Sequence, residues 1–169
     1  MDKQSLIFTS LIAILALSLM LMAIQFLAKK LKIKSIQNEK TQLSYSVWFG
    51  AIIISFIIPF KIALELIENA IELLITDATI INTFMAVTEK IALFTGFSFI
   101  YTFAAYYIVH ILFKYIVGNR NDSIEIANDN VGYYVNKGLV LIALVYSLSN
   151  VFEHFLKWFA PIIDTPFYH

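Results

Sequence analysis

Four long stretches of this chain are nearly free of charge, and the charged residues gather between them. Gln4 to Ala28 and Thr41 to Phe60 carry none, Ile91 to Phe113 carries one histidine, His110, and Val131 to Phe152 carries Lys137 near its start. An apolar helix needs about 20 residues to cross about 30 Å of hydrocarbon. Each stretch is therefore read as a transmembrane helix, with Lys137 placed where its ammonium can snorkel to the headgroups. The first run, Ser5 to Ala28, is longer than the 7–15 apolar residues of a signal peptide. No small-residue cleavage pattern closes it, and Lys29 and Lys30 follow directly. It is read as a retained membrane helix.

The segments between the spans differ in kind. In the second, Lys61, Glu65, Glu68, Asn69, Glu72 and Thr76 recur at helical spacing, with Ile62, Leu66, Ile67, Ala70, Leu73 and Leu74 opposite. This predicts that the second helix continues past the membrane, or bends at Pro59 and lies on its surface. Thr83–Thr88 then leads into the third span. The third segment, Gly118–Asn130, is rich in Gly, Asn and Asp and predicts a turn region.

Composition agrees with a bilayer environment. Of the 169 residues, 60% are hydrophobic and 14% charged, against about 25% charged in a soluble domain, and the mean hydropathy is +0.78. With no cysteine, disulfides, thiol nucleophiles and thiolate metal sites are excluded. A zero net charge and no basic–aromatic block give no support for nucleic-acid binding.

The lysines and arginine set an orientation. Lys29, Lys30, Lys32, Lys34 and Lys40 lie in the first loop, and Lys114 and Arg120 in the third. The second loop offsets Lys61 and Lys90 with Glu65, Glu68, Glu72, Asp77 and Glu89. The positive-inside rule puts the first and third loops in the cytoplasm, and both termini and the acidic loop outside. Tyr45, Tyr115, Tyr133 and Tyr134 then mark the inner interface and Trp158 the outer one.

The two halves of the chain share short motifs. Ile7-Phe8-Thr9-Ser10 opens the first span and Leu93-Phe94-Thr95-Gly96 the third. Tyr45-x-Val47-x-x-Gly50 opens the second and Tyr133-x-Val135-x-x-Gly138 the fourth, with Glu65 and Glu153 at matching places beyond them. This predicts an all-α polytopic membrane protein whose four transmembrane helices form two tandem hairpin repeats. Residues 1–169 form one membrane domain. Residues 5–75 are the first half with an amphipathic outer extension, and 91–160 the second. Halves of two spans each keep the same orientation and are related by an axis along the membrane normal.

The segments leading into the second and fourth spans carry a family resemblance. Asn38-Glu39-Lys40-Thr41-x-x-Ser44 precedes Gly50 and Phe56-Ile57-Ile58-Pro59; Ile124-Glu125-Ile126-Ala127-Asn128-Asp129-Asn130-Val131-Gly132 precedes Gly138. These resemble the YjfL family, bacterial inner-membrane proteins catalogued as a domain of unknown function. The resemblance covers nearly the whole chain. It implies four spans in two hairpins and a location in the bacterial inner membrane, and it supplies no reaction and no ligand. Bulky Trp48, Tyr133 and Tyr134 stand where that family tends to have small residues.

Candidate chemistry is sparse. Glu153, His154, Asp164 and His169 match no ligand spacing, so neither metal nor cofactor is expected. His110 reads as a proton relay or, more commonly, as a packed or interfacial histidine. No phosphate loop or nucleophile–base constellation is present, and carboxylates cluster on the second loop and at the end of the fourth span. An enzyme is not expected. The hydroxyls and amides in the spans, among them Ser10, Ser18, Ser46, Ser55, Thr95, Ser98 and Thr102, either line a path or pack. Lys61–Glu65 and Glu153–Lys157 are i,i+4 pairs and are candidate clamps or vestibule residues. Ser46, Gly50 and Gly138 are candidate close-packing positions. The expected function is a non-enzymatic oligomeric scaffold or accessory subunit, partnered by lipid and by itself or another membrane protein. The alternative is an oligomeric channel or small-solute conduit.

Overall fold

A computed structural model describes residues 3–33, 36–37, 40–76 and 82–161. The sequence features at Lys34, Asn38, Glu39, Asp77, Asp164 and His169 lie outside them.

Among the described residues the secondary structure is helical apart from one short antiparallel pairing. Helix α1 runs Lys3–Lys30, followed by two-residue strands β1 (Ile36–Gln37) and β2 (Lys40–Thr41). Then come α2 (Leu43–Thr76), α3 (Thr83–Val117), α4 (Asp122–Ala127), α5 (Val131–Ser147) and α6 (Ser149–Lys157). Three helices, α1, α2 and α3, are long and apolar enough to cross a membrane. The pair α5 and α6 adds a fourth crossing if taken as one bent span.

Helix α2 is central, packed most extensively on α3 and α5 and also against α1 and α6. Its 34 residues extend about 51 Å at 1.5 Å per residue, well beyond the hydrocarbon thickness. The helix continues through Pro59 rather than ending there. Past Pro59 the apolar side of the expected stripe is turned inward, with Ala63, Leu66, Ile67, Ala70, Ile71 and Leu74 buried. Lys61, Glu65, Asn69 and Glu72 face out. The 35-residue α3 starts at Thr83, eight residues before the apolar run, because Asn82 caps it by accepting from the Met85 N–H at 3.2 Å.

Two expectations need correction. The fourth apolar stretch is not one straight helix: α5 and α6 meet at Leu148 with a 43° bend. Neither Pro nor Gly causes it. The Ser149 hydroxyl donates to the Tyr146 carbonyl at 2.7 Å, a side chain competing with the helical ladder at the break. The segment Gly118–Asn130 is also more than a turn, because it contains α4. Gly118 turns the chain with φ of 92°, where a side chain would be strained. Asn121 caps α4 through the Ser123 N–H, and Asn130 caps α5 through the Tyr133 N–H. Glu125 braces the connection, accepting from Asn130 Nδ2 at 2.6 Å and from Arg120 at 3.1 Å.

Helix α1 is peripheral. Ala16, Met20, Ile24 and Ala28 are buried, while Ile7, Leu11, Ile14, Leu15, Met22 and Phe26 remain uncovered. Between α1 and α3 lies an apolar cleft of about 570 Å³, lined by residues including Phe8, Leu15, Ile91 and Phe99. The paired sequence motifs occupy unlike surroundings. Phe8 is exposed and Phe94 fully buried. A Cβ placed on Gly50 would meet nothing within 4 Å, whereas one on Gly138 would come within 2.8 Å of the Ala51 Cβ.

Candidate functional site: a buried lysine–aspartate–histidine cluster

The most concentrated chemistry lies where α4 folds back onto the bundle. Lys137 does not snorkel. It sits on the inward face of α5, two turns in from Val131, with 4% of its side chain exposed. The Asp122 side chain, at the start of α4, is 3% exposed. The ammonium donates to both carboxylate oxygens, at 2.7 and 3.0 Å. A carboxylate in the first turn of a helix also gains from the helix dipole.

His110 from α3 completes the ammonium's shell. Its Nδ1 lies 3.2 Å from Lys137 Nζ and 3.3 Å from Asp122 Oδ2. With its ring proton on Nε2 the imidazole accepts an ammonium proton at Nδ1; with it on Nδ1 the ring donates to Asp122 Oδ2. His110 is the least buried member, with 36% of its side chain exposed.

Aromatic residues wall in the pair. The rings of Tyr106, Tyr133 and Tyr134 have centroids 5.5–5.8 Å from Lys137 Nζ, within cation–π range. The Tyr134 hydroxyl donates to the Asp122 backbone and side-chain oxygens at 2.9 and 3.2 Å. The Tyr106 hydroxyl donates to Asp122 Oδ2 at 3.4 Å and accepts from Trp48 Nε1 at 3.2 Å. Helices α2, α3, α4 and α5 thus all contribute. The adjoining void, bounded by Trp48, Ile52, Tyr134 and Leu141, is about 10 Å³. That is about one water's worth of space and too little for a solute.

A second set of bonds ties the α4–α5 turn to the start of α2. The Ser44 N–H donates to Asp129 Oδ1 at 2.8 Å, the Ser44 hydroxyl to the Ile126 carbonyl at 3.4 Å, and Gln42 Nε2 to the Ala127 carbonyl at 3.3 Å. Asp129 therefore caps α2 from more than eighty residues away. The Ser44 N–H holds the Asp129 carboxyl below the usual carboxylate range.

The residues singled out from sequence are placed differently. Lys61 and Glu65 are 3.9 Å apart with side chains 78% and 64% exposed, and Lys157 and Glu153 are 2.6 Å apart at 52% and 39%. Both pairs form, and both are at least partly exposed on the surface of the single chain. Gly138 is at a close contact; Gly50 has open space beside it. Ser46 is exposed, and its hydroxyl returns to the Gln42 carbonyl at 3.3 Å. His154 is exposed. Among the described residues, no group of three or more His, Asp and Glu side chains is placed to hold a metal ion.

Asp122 was missed because nothing local marks it. It stands in a polar loop beside Asn121 and Ser123, where a solvated carboxylate is the ordinary reading. One signal was available: a lysine six residues into an apolar helix calls for a carboxylate partner, and the neighbouring loop holds few candidates. No family model, curated protein or solved structure matches the chain.

Proposed function

We propose that this chain is a four-span membrane protein, built as two tandem helical hairpins, that serves as a non-enzymatic scaffold or accessory subunit. It assembles with itself or with another membrane protein. The observation that carries this reading is where the polar groups are turned. The buried charges pair directly with each other at 2.7 Å, and the void beside Lys137 holds about one water. Several hydroxyls within the apolar helices close on their own backbone: Ser18 on Ile14, Ser98 on Phe94 and Thr102 on Ser98, at 2.8–3.0 Å. Hydroxyls so engaged have their donor satisfied within the helix, as packed membrane helices do. The uncovered apolar face of α1 and the cleft beside α3 supply surface for lipid or for a partner helix. The reading places the protein in the bacterial inner membrane as a member of the YjfL family, on the strength of the short motifs before Gly50 and Gly138. Both termini are outside.

The test is a structure of the assembly in lipid, paired with flux measurements on proteoliposomes. The expected result is self-association or a co-purifying membrane protein, a closed or lipid-filled centre, and flux equal to that of empty vesicles. A continuous water-filled centre with ion or solute flux would overturn the scaffold and establish an oligomeric conduit.

A further inference from the structure

We infer that the cleft between α1 and α3 is a binding site for one acyl chain of a phospholipid, drawn from the bilayer leaflet on the side of the α2–α3 connection. The inference rests on α1, α2 and α3 crossing the membrane, and it names a ligand for this chain whether or not the chain is a scaffold.

The cleft has a defined length. Its walls run from Phe8 to Leu19 on α1 and from Thr88 to Phe99 on α3. Eleven residue steps on each helix, 8 to 19 and 88 to 99, make about 16 Å at 1.5 Å per residue. One leaflet is half of about 30 Å of hydrocarbon. Helices α1 and α3 are separated by a single crossing, α2, so both start on the same side of the membrane. Phe8 lies at the start of the apolar part of α1. The cleft therefore runs from that surface to the bilayer centre and stops. A partner transmembrane helix would have to continue through the other leaflet, where α1 turns Met20, Ile24 and Ala28 into the bundle. A lipid tail ends at the centre, so the length fits a tail and not a helix.

The lining asks for hydrocarbon. Thr88 and Thr95 are the hydroxyl-bearing residues in the walls, and the other lining side chains are apolar. The Thr88 hydroxyl donates to the Phe84 carbonyl at 2.8 Å, and the Thr95 oxygen is sealed beneath the surface. No charge, amide or free hydroxyl is offered to a headgroup or a polar ring. At about 570 Å³ the space is far more than a packing fault, since protein interiors leave few voids larger than a water molecule. Water does not settle there, because it needs about two to four polar partners. The hydrophobic effect does not select the tail either, since the surrounding lipid is equally apolar. Contacts do. A tail on an ordinary helix face is touched from one side, whereas here it meets α1, α3 and the fully buried Ala16 between them. Gly96 keeps the α3 wall low, and a Cβ there would meet nothing within 4 Å.

The experiment is native mass spectrometry of the full chain released from phosphatidylcholine nanodiscs, counting the phosphatidylcholine molecules retained per chain as collisional activation rises. The unsubstituted protein should hold one molecule per chain after the other lipids have gone. Gly96→Phe, whose ring enters the cleft from its open side, should lose it. Ile108→Phe, exposed on α3 beyond the end of the cleft, should keep it. No retention by the unsubstituted protein, equal retention in Gly96→Phe, or equal loss in Ile108→Phe overturns the inference. So does a retained polypeptide, a second copy or another protein, whose mass disappears in Gly96→Phe; that result gives the cleft to a helix. If Gly96→Phe loses its helix content, Ala92→Phe, exposed on the same wall, decides on the same terms. The count is read per chain and involves neither flux nor assembly, so its failure leaves the scaffold reading standing. A chain that does not cross the bilayer would instead fail to enter the nanodisc.

Discussion

The Lys137 ammonium lies 2.7 Å from the carboxylate of Asp122, fifteen residues earlier in the chain, and both side chains are sealed from solvent. A buried pair of this kind gains little over a well-packed apolar substitute, but losing one partner strands the other. Lys137→Met should therefore destabilise the protein by about 3–5 kcal/mol. The double variant Lys137→Met with Asp122→Asn should recover much of that loss. Reversible unfolding in mixed micelles measures both. A double variant as damaged as the sum of the single ones would remove the pairing argument.

Close packing singles out one glycine of the two in the paired motifs. Gly138→Ala drives a Cβ to 2.8 Å from that of Ala51 and should cost about 1–3 kcal/mol through overpacking. Ala51→Gly in the same chain should restore part of it. Gly50→Ala meets open space and should be neutral or stabilising, because alanine favours the helix by up to about 1 kcal/mol. Thermal midpoints of the three variants in one detergent decide the matter, and an equal loss at Gly50 would contradict it.

Asp129 tests the link between α4 and α2. It has a left-handed backbone, φ of 48°, while its carboxylate accepts the Ser44 N–H. Asparagine tolerates that conformation and keeps an acceptor; alanine does neither. Exchange at the Ser44 amide should rise most in Asp129→Ala, less in Asp129→Gly and least in Asp129→Asn. The carboxyl is held below its ordinary value of 3.8, so its stabilising contribution is complete above that pH. It is lost as the pH falls through the depressed folded value. An Asp129→Asn variant should lack this acid-range transition.

The i,i+4 pairs Lys61–Glu65 and Glu153–Lys157 are exposed. Exposed pairs of this kind contribute little to stability. Glu65→Ala and Glu153→Ala should each change stability and detergent-resistant assembly no more than Glu72→Ala does. A selective loss of assembly at Glu65 and Glu153 would instead reveal an interface between copies at that end of the bundle.

Orientation is read from cysteine labelling, which a chain without native cysteine makes clean. A single cysteine at Ser123, beside α4, should resist an impermeant thiol reagent in intact cells. One at the exposed Asn69 on the extension of α2 should react. The reverse pattern would invert the topology.

Helix class, the apolar stretches and the extension of α2 were all legible along the chain, because each rests on local composition or on a 3.6-residue period. Lys61 through Glu72 display that period openly, and α2 follows it. The bend at Leu148 was not legible, since no Pro or Gly marks it. Nor was α4, whose six residues are too few to establish a period. The site was least visible of all. Lys137 looked like a residue reaching for headgroups, Asp122 like a loop carboxylate, His110 like an interfacial histidine, and Tyr133 and Tyr134 like belt aromatics. Each identity was plain, but side-chain direction depends on which face of one helix meets which face of another. Only when α4 is folded back against α2, α3 and α5 do those residues meet. There, exclusion from water turns separate polar side chains into one interdependent cluster.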